Sequence, residues 1–250
     1  MVKLAGEAFL RTQTLLGVEA LERLSGRHVL IAGLGGVGGY AAEIVARSGV
    51  GRMTVIDADT VAESNLNRQI IALHSTLGLA KAELFTTRIL DINPEIRLEA
   101  IGEFITPESA AVLLETHRPD YVIDAIDTVA PKCALLAECL RRKIPVISSM
   151  GAGGRIDPTA VGYRDLWETR DDGLAKAVRQ RFKALGLRRK LLTVSSSELP
   201  RRHSLIEEPE ARNKRTSFGT LAAVPAVFGI LLGNKAVLDL AGIPYNPKKI

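Results

Sequence analysis

Cysteine is nearly absent from this chain: Cys133 and Cys139 are the only two in 250 residues. Two thiols cannot supply a four-cysteine zinc site, and they give no disulfide framework. The composition therefore fits a reducing, cytoplasmic setting. The N-terminus lacks the apolar core of a secretory signal, so none is expected. Internal repeats are missing as well. Acidic residues are scarce in one window: residues 176–215 hold twelve Lys or Arg against four acids, an excess of +8 where the whole chain carries +5. Such a window is either a solvated basic face or a surface for a polyanion, most simply nucleic-acid phosphates.

The remainder has the 46% hydrophobic and 24% charged content of an ordinary globular protein, and its length suffices for a sizeable core. A helix is expected over 5–25. Strand and helix patterns then alternate: strands at 28–33, 52–57, 97–102, 120–124 and 144–149, helices at 37–48, 65–73, 78–91, 107–117 and 130–142. This alternation predicts an α/β, Rossmann-like fold, a mostly parallel sheet flanked by helices. Four parts are expected in a single domain: an N-terminal helical arm (1–27), a nucleotide-binding core (28–156), a basic, partly mobile segment (157–215) and a C-terminal helix and tail (216–250). Residues 216–234 are nineteen in a row without a charge, close to a membrane-spanning length. Three glycines, Pro225 and several polar residues interrupt them, which favours a core or subunit-interface helix over a span.

Chemistry enters at "VLIAGLGGVGGYAAEIVARSGVGRMTVIDAD" (29–59), where Gly33, Gly35 and Gly38 form G-x-G-x-x-G. Gly36 lies inside the same loop. Glycines allow a tight turn, and the following helix offers its amides to phosphate oxygens. Asp57, nineteen residues after Gly38, is placed to bind ribose hydroxyls. These features alone suit NAD or ATP equally.

The next residues separate the two. "DADTVAESNLNRQ" sets Asn65 and Arg68 at i and i+3, on one side of a turn, and Lys81 opens the helix that follows. Hydride transfer leaves a pyrophosphate untouched and needs no such array. Nucleotidyl transfer builds charge on the α-phosphate and the departing pyrophosphate, and preplaced donors stabilise it. A lone Arg or Lys is ordinarily a surface cation; the combination is what carries the argument. "VIDAIDT" (122–128) adds Asp124 and Asp127 at the carboxyl end of a strand, where open α/β sheets bind ligands. Asp127 is the better candidate for Mg²⁺ bridging phosphates, and Asp124 for a structural cap.

These motifs, "GLGGVGG", "DADTVAESNLNRQ", "GLAKAE", "INPEI" and "VIDAIDT", resemble the adenylating family of ubiquitin-activating enzymes and bacterial sulfur-carrier adenylyltransferases. The resemblance implies ATP contacts at Gly35, Gly36, Asp57, Asn65, Arg68, Lys81 and Asp127. It also implies a homodimer in which Arg11 reaches the neighbouring subunit's ATP. Two features depart from that family. No paired C-x-x-C motifs are present, and no cysteine follows residue 151 to carry a thioester.

A narrower likeness spans nearly the whole chain. "RTQTLLGVEALERL", "CALLAECLRRKIPVISSMGAGGRIDPT", "DGLAKAVRQRF" and "FGTLAAVPAVFGILLG" are similar to the tRNA threonylcarbamoyladenosine dehydratases. This resemblance implies an ATP-dependent cyclisation of the modified adenosine through an acyl-adenylate of its threonine carboxylate. Arg11, Arg68, Lys81 and Asp127 would act on the phosphates. Arg179, Arg181, Lys183, Arg188, Arg189, Lys190, Arg201 and Arg202 would grip the tRNA. A cysteine desulfurase or sulfur acceptor would be a further partner. The alternative within enzymology is activation of a small sulfur-carrier or ubiquitin-like protein at its C-terminus. A non-catalytic nucleotide sensor and an NAD oxidoreductase rank behind both.

Overall fold

Five consecutive buried residues, His28–Ala32, form β1. A strand covered on both faces reads as an unbroken apolar run, and the one polar side chain here, His28, meets Thr54 Oγ1 at 2.9 Å. The computed structural model describes residues 7–207 and 216–244. Strand β1 pairs in parallel with β2 (Arg52–Ile56) on one side and β4 (Tyr121–Asp124) on the other. Strand β3 (Arg97–Ile101) extends the first side. The second side continues through β5 (Val146–Ser149) and β7 (Leu192–Ser196) to β6 (Val161–Asp165). The sheet order is β3-β2-β1-β4-β5-β7-β6, parallel throughout except for β6. Because the chain leaves β1 toward β2 and later returns to its other flank at β4, the order reverses between β1 and β4. That is the point where such sheets leave a crevice at their carboxyl edge.

Alternate residues of β1 feed two cores. Val29 and Ile31 join α2 (Val18–Ser25), α3 (Gly38–Ala46), α4 (Lys81–Ile92) and α8 (Ala223–Ala241) on one face. Leu30 and Ala32 join α5 (Ser109–His117) and α6 (Val129–Arg142) on the other. A third apolar cluster packs α6 against α7 (Gly173–Ala184) through Leu136, Val178 and Phe182.

Helix α8 is long and apolar enough to cross a bilayer by composition alone. Its place in the fold explains that composition. A Cβ on Gly229 would lie 2.2 Å from Val37 O, and one on Gly233 would lie 2.8 Å from Ile44 Cβ. The two glycines thus let α8 press onto α3 and onto the turn before it, while Phe228 and Leu232 are fully buried. Each such side chain contributes about 1.5–3 kcal/mol. The expected core helix is present, but it starts at Ala223, because Thr216–Phe218 forms β9 opposite β8 (Leu205–Glu207).

Three other expectations change. The single helix over 5–25 is broken at Gly17 into α1 (Leu10–Leu16) and α2. No helix covers 65–73: the chain makes one 3-10 turn, Glu63–Asn65, then further turns held by Arg68 N to Asn65 O (3.1 Å) and Ala72 N to Gln69 O (3.0 Å). A regular helix would swing Arg68 away from the glycine loop it packs on. The basic segment contains β6, α7 and β7, so the sheet continues two strands beyond the alternation visible in the sequence. The end of that segment, with Arg212, Lys214 and Arg215, lies outside the described residues, as does the side chain of Arg202.

Candidate active site

The glycine loop fills the crevice between β1 and β4. Gly33 has φ +89, and a Cβ there would stand 2.9 Å from Ala125 O; one on Gly38 would stand 1.7 Å from Gly33 O. Only glycine lets the loop turn this sharply while its backbone lies against the β4 loop. Two of the sequence-predicted ligands, Arg68 and Asp57, touch the loop directly, and Lys81 stands behind Asp57. Arg68 packs over Gly36, so closely that a Cβ on this glycine would lie 3.2 Å from Arg68 Cγ. Its Nη1 donates to Ser64 O (2.7 Å) and Asn67 Oδ1 (3.0 Å), and among the described residues no carboxylate neutralises it. Asn65, on the same turn, is buried, and its Oδ1 accepts from Ala62 N at 3.2 Å.

Asp57 follows β2 directly and opens the loop after it. Its Oδ2 accepts from Leu34 N at 2.6 Å and its Oδ1 from Asp59 N at 2.9 Å, so one carboxylate fixes both the glycine loop and its own. Burial pushes this carboxyl above the ordinary aspartate range, while the Lys81 ammonium and the two amides pull the other way. Lys81 opens α4 with a buried side chain; Nζ lies 2.9 Å from Asp59 Oδ2 and 3.9 Å from Asp57 Oδ1. Nothing in the sequence singles out Asp59. In the structure it is the exposed half of this pair, a partner the ammonium can exchange for phosphate oxygens.

Across the crevice, Asp124 is fully buried and serves the fold rather than a ligand. Its Oδ2 sits 2.7 Å from Lys132 Nζ and accepts from Ser148 Oγ at 2.6 Å; its Oδ1 accepts from Ile126 N at 3.1 Å. Lys132 also donates to Ile126 O at 2.9 Å. This polar knot clamps the loop that carries Asp127, which is exposed to solvent at the carboxyl edge. Lys132 carries no signal in the sequence. A lysine eight residues after an aspartate, inside a helix, looks like a solvated cation. Among the described residues no cluster of three or more His, Cys, Asp or Glu forms a metal cage. One carboxylate nevertheless fits Mg²⁺, which takes one or two from protein and the rest of its oxygens from phosphates and water.

These parts set two cations, Arg68 and Lys81, and the buried carboxylate of Asp57 around one glycine loop, an arrangement whose chemistry suits a phosphate-bearing ligand. The ThiF family pattern matches residues 10–249. The chain belongs to the ThiF family. It is 40% identical over 239 residues to the tRNA threonylcarbamoyladenosine dehydratase of Bacillus subtilis, covering 93% of this chain and 94% of that one. Its fold matches the crystal structure of the Escherichia coli tRNA N6-threonylcarbamoyladenosine dehydratase, TcdA, in complex with ATP. There the TM-score is 0.88 and the identity 38%, over 96% of this chain and 98% of that one. The molybdopterin-synthase adenylyltransferase of Escherichia coli is 37% identical, over 146 residues or 58% of this chain.

Other candidate residues of this ThiF-family chain lie apart from the crevice. Arg11 is exposed on α1. Phe9, just before that helix, approaches Gly49 beyond the far end of α3, whereas the glycine loop leads into its near end. Nine helical residues, about 13 Å, separate the two. The basic residues divide between the two edges of the sheet. Arg188, Arg189 and Lys190 precede β7 and so stand at the amino edge, where Arg189 Nη1 donates to Leu140 O at 2.7 Å. Arg181 and Lys183 are exposed toward the end of α7. Arg179 is already engaged: its Nη1 donates to Leu166 O (3.2 Å) and Thr169 O (3.1 Å), and to Thr169 Oγ1. Arg201 follows β7 at the carboxyl edge, 3.9 Å from Glu198.

Proposed function

We propose that this chain uses ATP to dehydrate threonylcarbamoyladenosine in tRNA, closing the threonine carboxylate onto the neighbouring carbamoyl group. The observation that supports it best is the extent of the likeness. The match to the Bacillus dehydratase runs through the region after β5, whereas the sulfur-carrier type of relative matches little more than half of the chain. The thiols agree with this choice. Cys133 and Cys139 are both buried, and burial pushes them up to about 11 and about 12, so neither offers a thiolate for carrier-protein transfer.

The residues divide the work as follows. Asp57 fixes the ribose, and the glycine-loop amides cradle the phosphates. Arg68 and Lys81 stabilise the charge that develops as a carboxylate oxygen attacks the α-phosphorus and pyrophosphate departs. A carboxylate oxygen is a poor leaving group, whereas AMP is a good one. Once the acyl-adenylate exists, a carbamoyl atom of the same side chain attacks the acyl carbon and expels AMP. The sum is the loss of one water, and the ring closure gains from proximity. Asp127 would hold Mg²⁺, which neutralises phosphate charge when bound.

Arg11 is assigned to a second copy's site. It cannot serve the crevice of its own chain from beyond the far end of α3. The surface around it suits a self-association: α1 buries none of its residues, Leu15 is 83% exposed, and Leu10 and Val18 are exposed beside it. A homodimer would cover that apolar strip. Two free thiols accord with a reducing, cytoplasmic setting. Mass spectrometry of nucleosides from tRNA incubated with protein and ATP tests the activity. Loss of one water from threonylcarbamoyladenosine supports it. An unchanged nucleoside, together with pyrophosphate exchange triggered by a carrier protein, would transfer the reading to the sulfur-carrier class.

A further inference from the structure

A cleft of about 520 Å³ opens on the carboxyl edge between the start of α7 and the loop after β7. Its walls include Asp171, Lys176, Leu199, Pro200 and Phe218. Three hydrogen bonds tie it to the glycine loop's surroundings. Gly151 N, just past β5, donates to Asp172 Oδ2 at 2.9 Å. Gly154 N donates to Gly219 O at 2.9 Å. Asn67 Nδ2, one residue before Arg68, donates to Thr220 O at 2.9 Å. The segment 218–220 therefore belongs both to the cleft and to the turn that presents Arg68. Strand spacing places β5 about 10 Å from β1, so the cleft lies beside the phosphate cradle rather than within it.

The walls carry the chemistry of a nucleotide's two halves. Phe218 and Pro200 give flat apolar surfaces, and Phe218 is fixed by the loop beneath it: a Cβ on Gly153 would come within 2.8 Å of Phe218 Cβ. Lys176 is exposed on the first turns of α7 and has no ion pair among the described residues. Two carboxylates are nearby. Asp172 is committed internally, accepting from Gly151 N and Ala175 N and lying 3.6 Å from the buried Arg155. Asp171 is exposed with φ +51.

We propose that this cleft receives the target purine nucleotide once it is splayed from the tRNA loop. Its base stacks on Phe218 and an adjoining phosphate meets Lys176, which leaves the acid-bearing arm of the base to extend toward Arg68 and the α-phosphate. RNA recognition of single-stranded bases commonly uses this pairing of an aromatic platform with a cation. The inference rests on the tRNA dehydration proposed above.

The test uses the full chain and an anticodon stem–loop carrying threonylcarbamoyladenosine, with KM for the RNA and for ATP measured separately. Phe218→Leu should raise the KM for RNA about tenfold or more, as loss of base stacking does. Lys176→Gln should raise it severalfold and lower the salt slope by about one phosphate contact. In both, the KM for ATP stays at the wild-type value, and Phe218→Tyr and Lys176→Arg recover RNA binding. An unchanged KM for RNA in Lys176→Gln and Phe218→Leu, with wild type active and thermal melts intact, overturns the cleft assignment alone. If Phe218→Leu fails to fold, Lys176→Gln decides, because that side chain is exposed. A wild-type chain that converts no stem–loop overturns the dehydratase reading and this inference with it.

Discussion

Replacing Lys132 by Met should be among the most damaging single changes available to this fold, although its nitrogen touches no ligand. Its ammonium lies 2.7 Å from Asp124 Oδ2, and both side chains are shielded completely from water. The methionine fills similar volume, so the change is mainly electrostatic. It leaves Asp124 buried with two donors, Ser148 Oγ and Ile126 N, and no countercharge. Breaking a buried pair from one side costs about 3–5 kcal/mol. Against a total stability of about 5–15 kcal/mol, that removes about a fifth of it or more in a typical domain. Urea unfolding followed by circular dichroism gives the loss directly. The partner change Asp124→Asn in the same chain removes the orphaned charge and keeps an acceptor for Ile126 N, so the double variant should regain at least half of the loss. The KM for ATP should rise in Lys132→Met, since the clamp on the Asp127 loop is gone. A cost below about 1 kcal/mol, or a double variant no better than the single one, would refute the claim that this ion pair organises the loop.

Three further outcomes are expected. Arg68→Ala and Lys81→Ala should each abolish adenylate formation, read as pyrophosphate release, while circular dichroism melting shows a retained fold; normal turnover in both would remove them from the chemistry. His28 is buried, and burial depresses it to about 4 from the usual 6.5, so the native state resists protonating it while the unfolded chain does not. Stability should therefore fall as pH drops from 6.5 toward about 4, by up to about 3 kcal/mol, and this loss should be absent from His28→Gln. Urea midpoints of both proteins at pH 7 and pH 5 check the sign; parallel midpoints would mean His28 titrates as in water. Neutralising Arg188, Arg189 and Lys190 together should weaken tRNA binding and flatten its salt dependence, and an unaltered slope would return the amino edge to solvent.

Much of the crevice was legible because its residues obey local rules. The glycine spacing, the apolar runs of β1 and β2, and the Asn65-to-Lys81 array all lie within about fifty residues of one another, and the structure folds them onto one loop. Elements beyond β5 were harder to read. Helix α7 hides its stripe of Ala175, Val178 and Phe182 among cations, so charge masked a helical period. Strand β7 ends in buried serines, Ser195 and Ser196, which in sequence resemble a loop. The turn at 65–73 carries a helical pattern, but tertiary packing against Gly36 overrides it. Lys132 could not be found from sequence at all, since only the fold brings it to Asp124. The uncharged run at 216–234 resembles a membrane span, whereas Gly229 and Gly233 show why that stretch is apolar inside this protein: α8 approaches α3 almost backbone to backbone.

The central claim is that a carboxylate oxygen of the substrate is handed to the α-phosphorus of ATP at the Arg68–Lys81 cradle. Heavy-oxygen labelling of the threonine carboxylate in the tRNA substrate tests it most directly, with the released nucleotide analysed by mass spectrometry. The expected product is AMP carrying one heavy oxygen, formed in step with the cyclised nucleoside. Unlabelled AMP, or ADP and phosphate in its place, would contradict it.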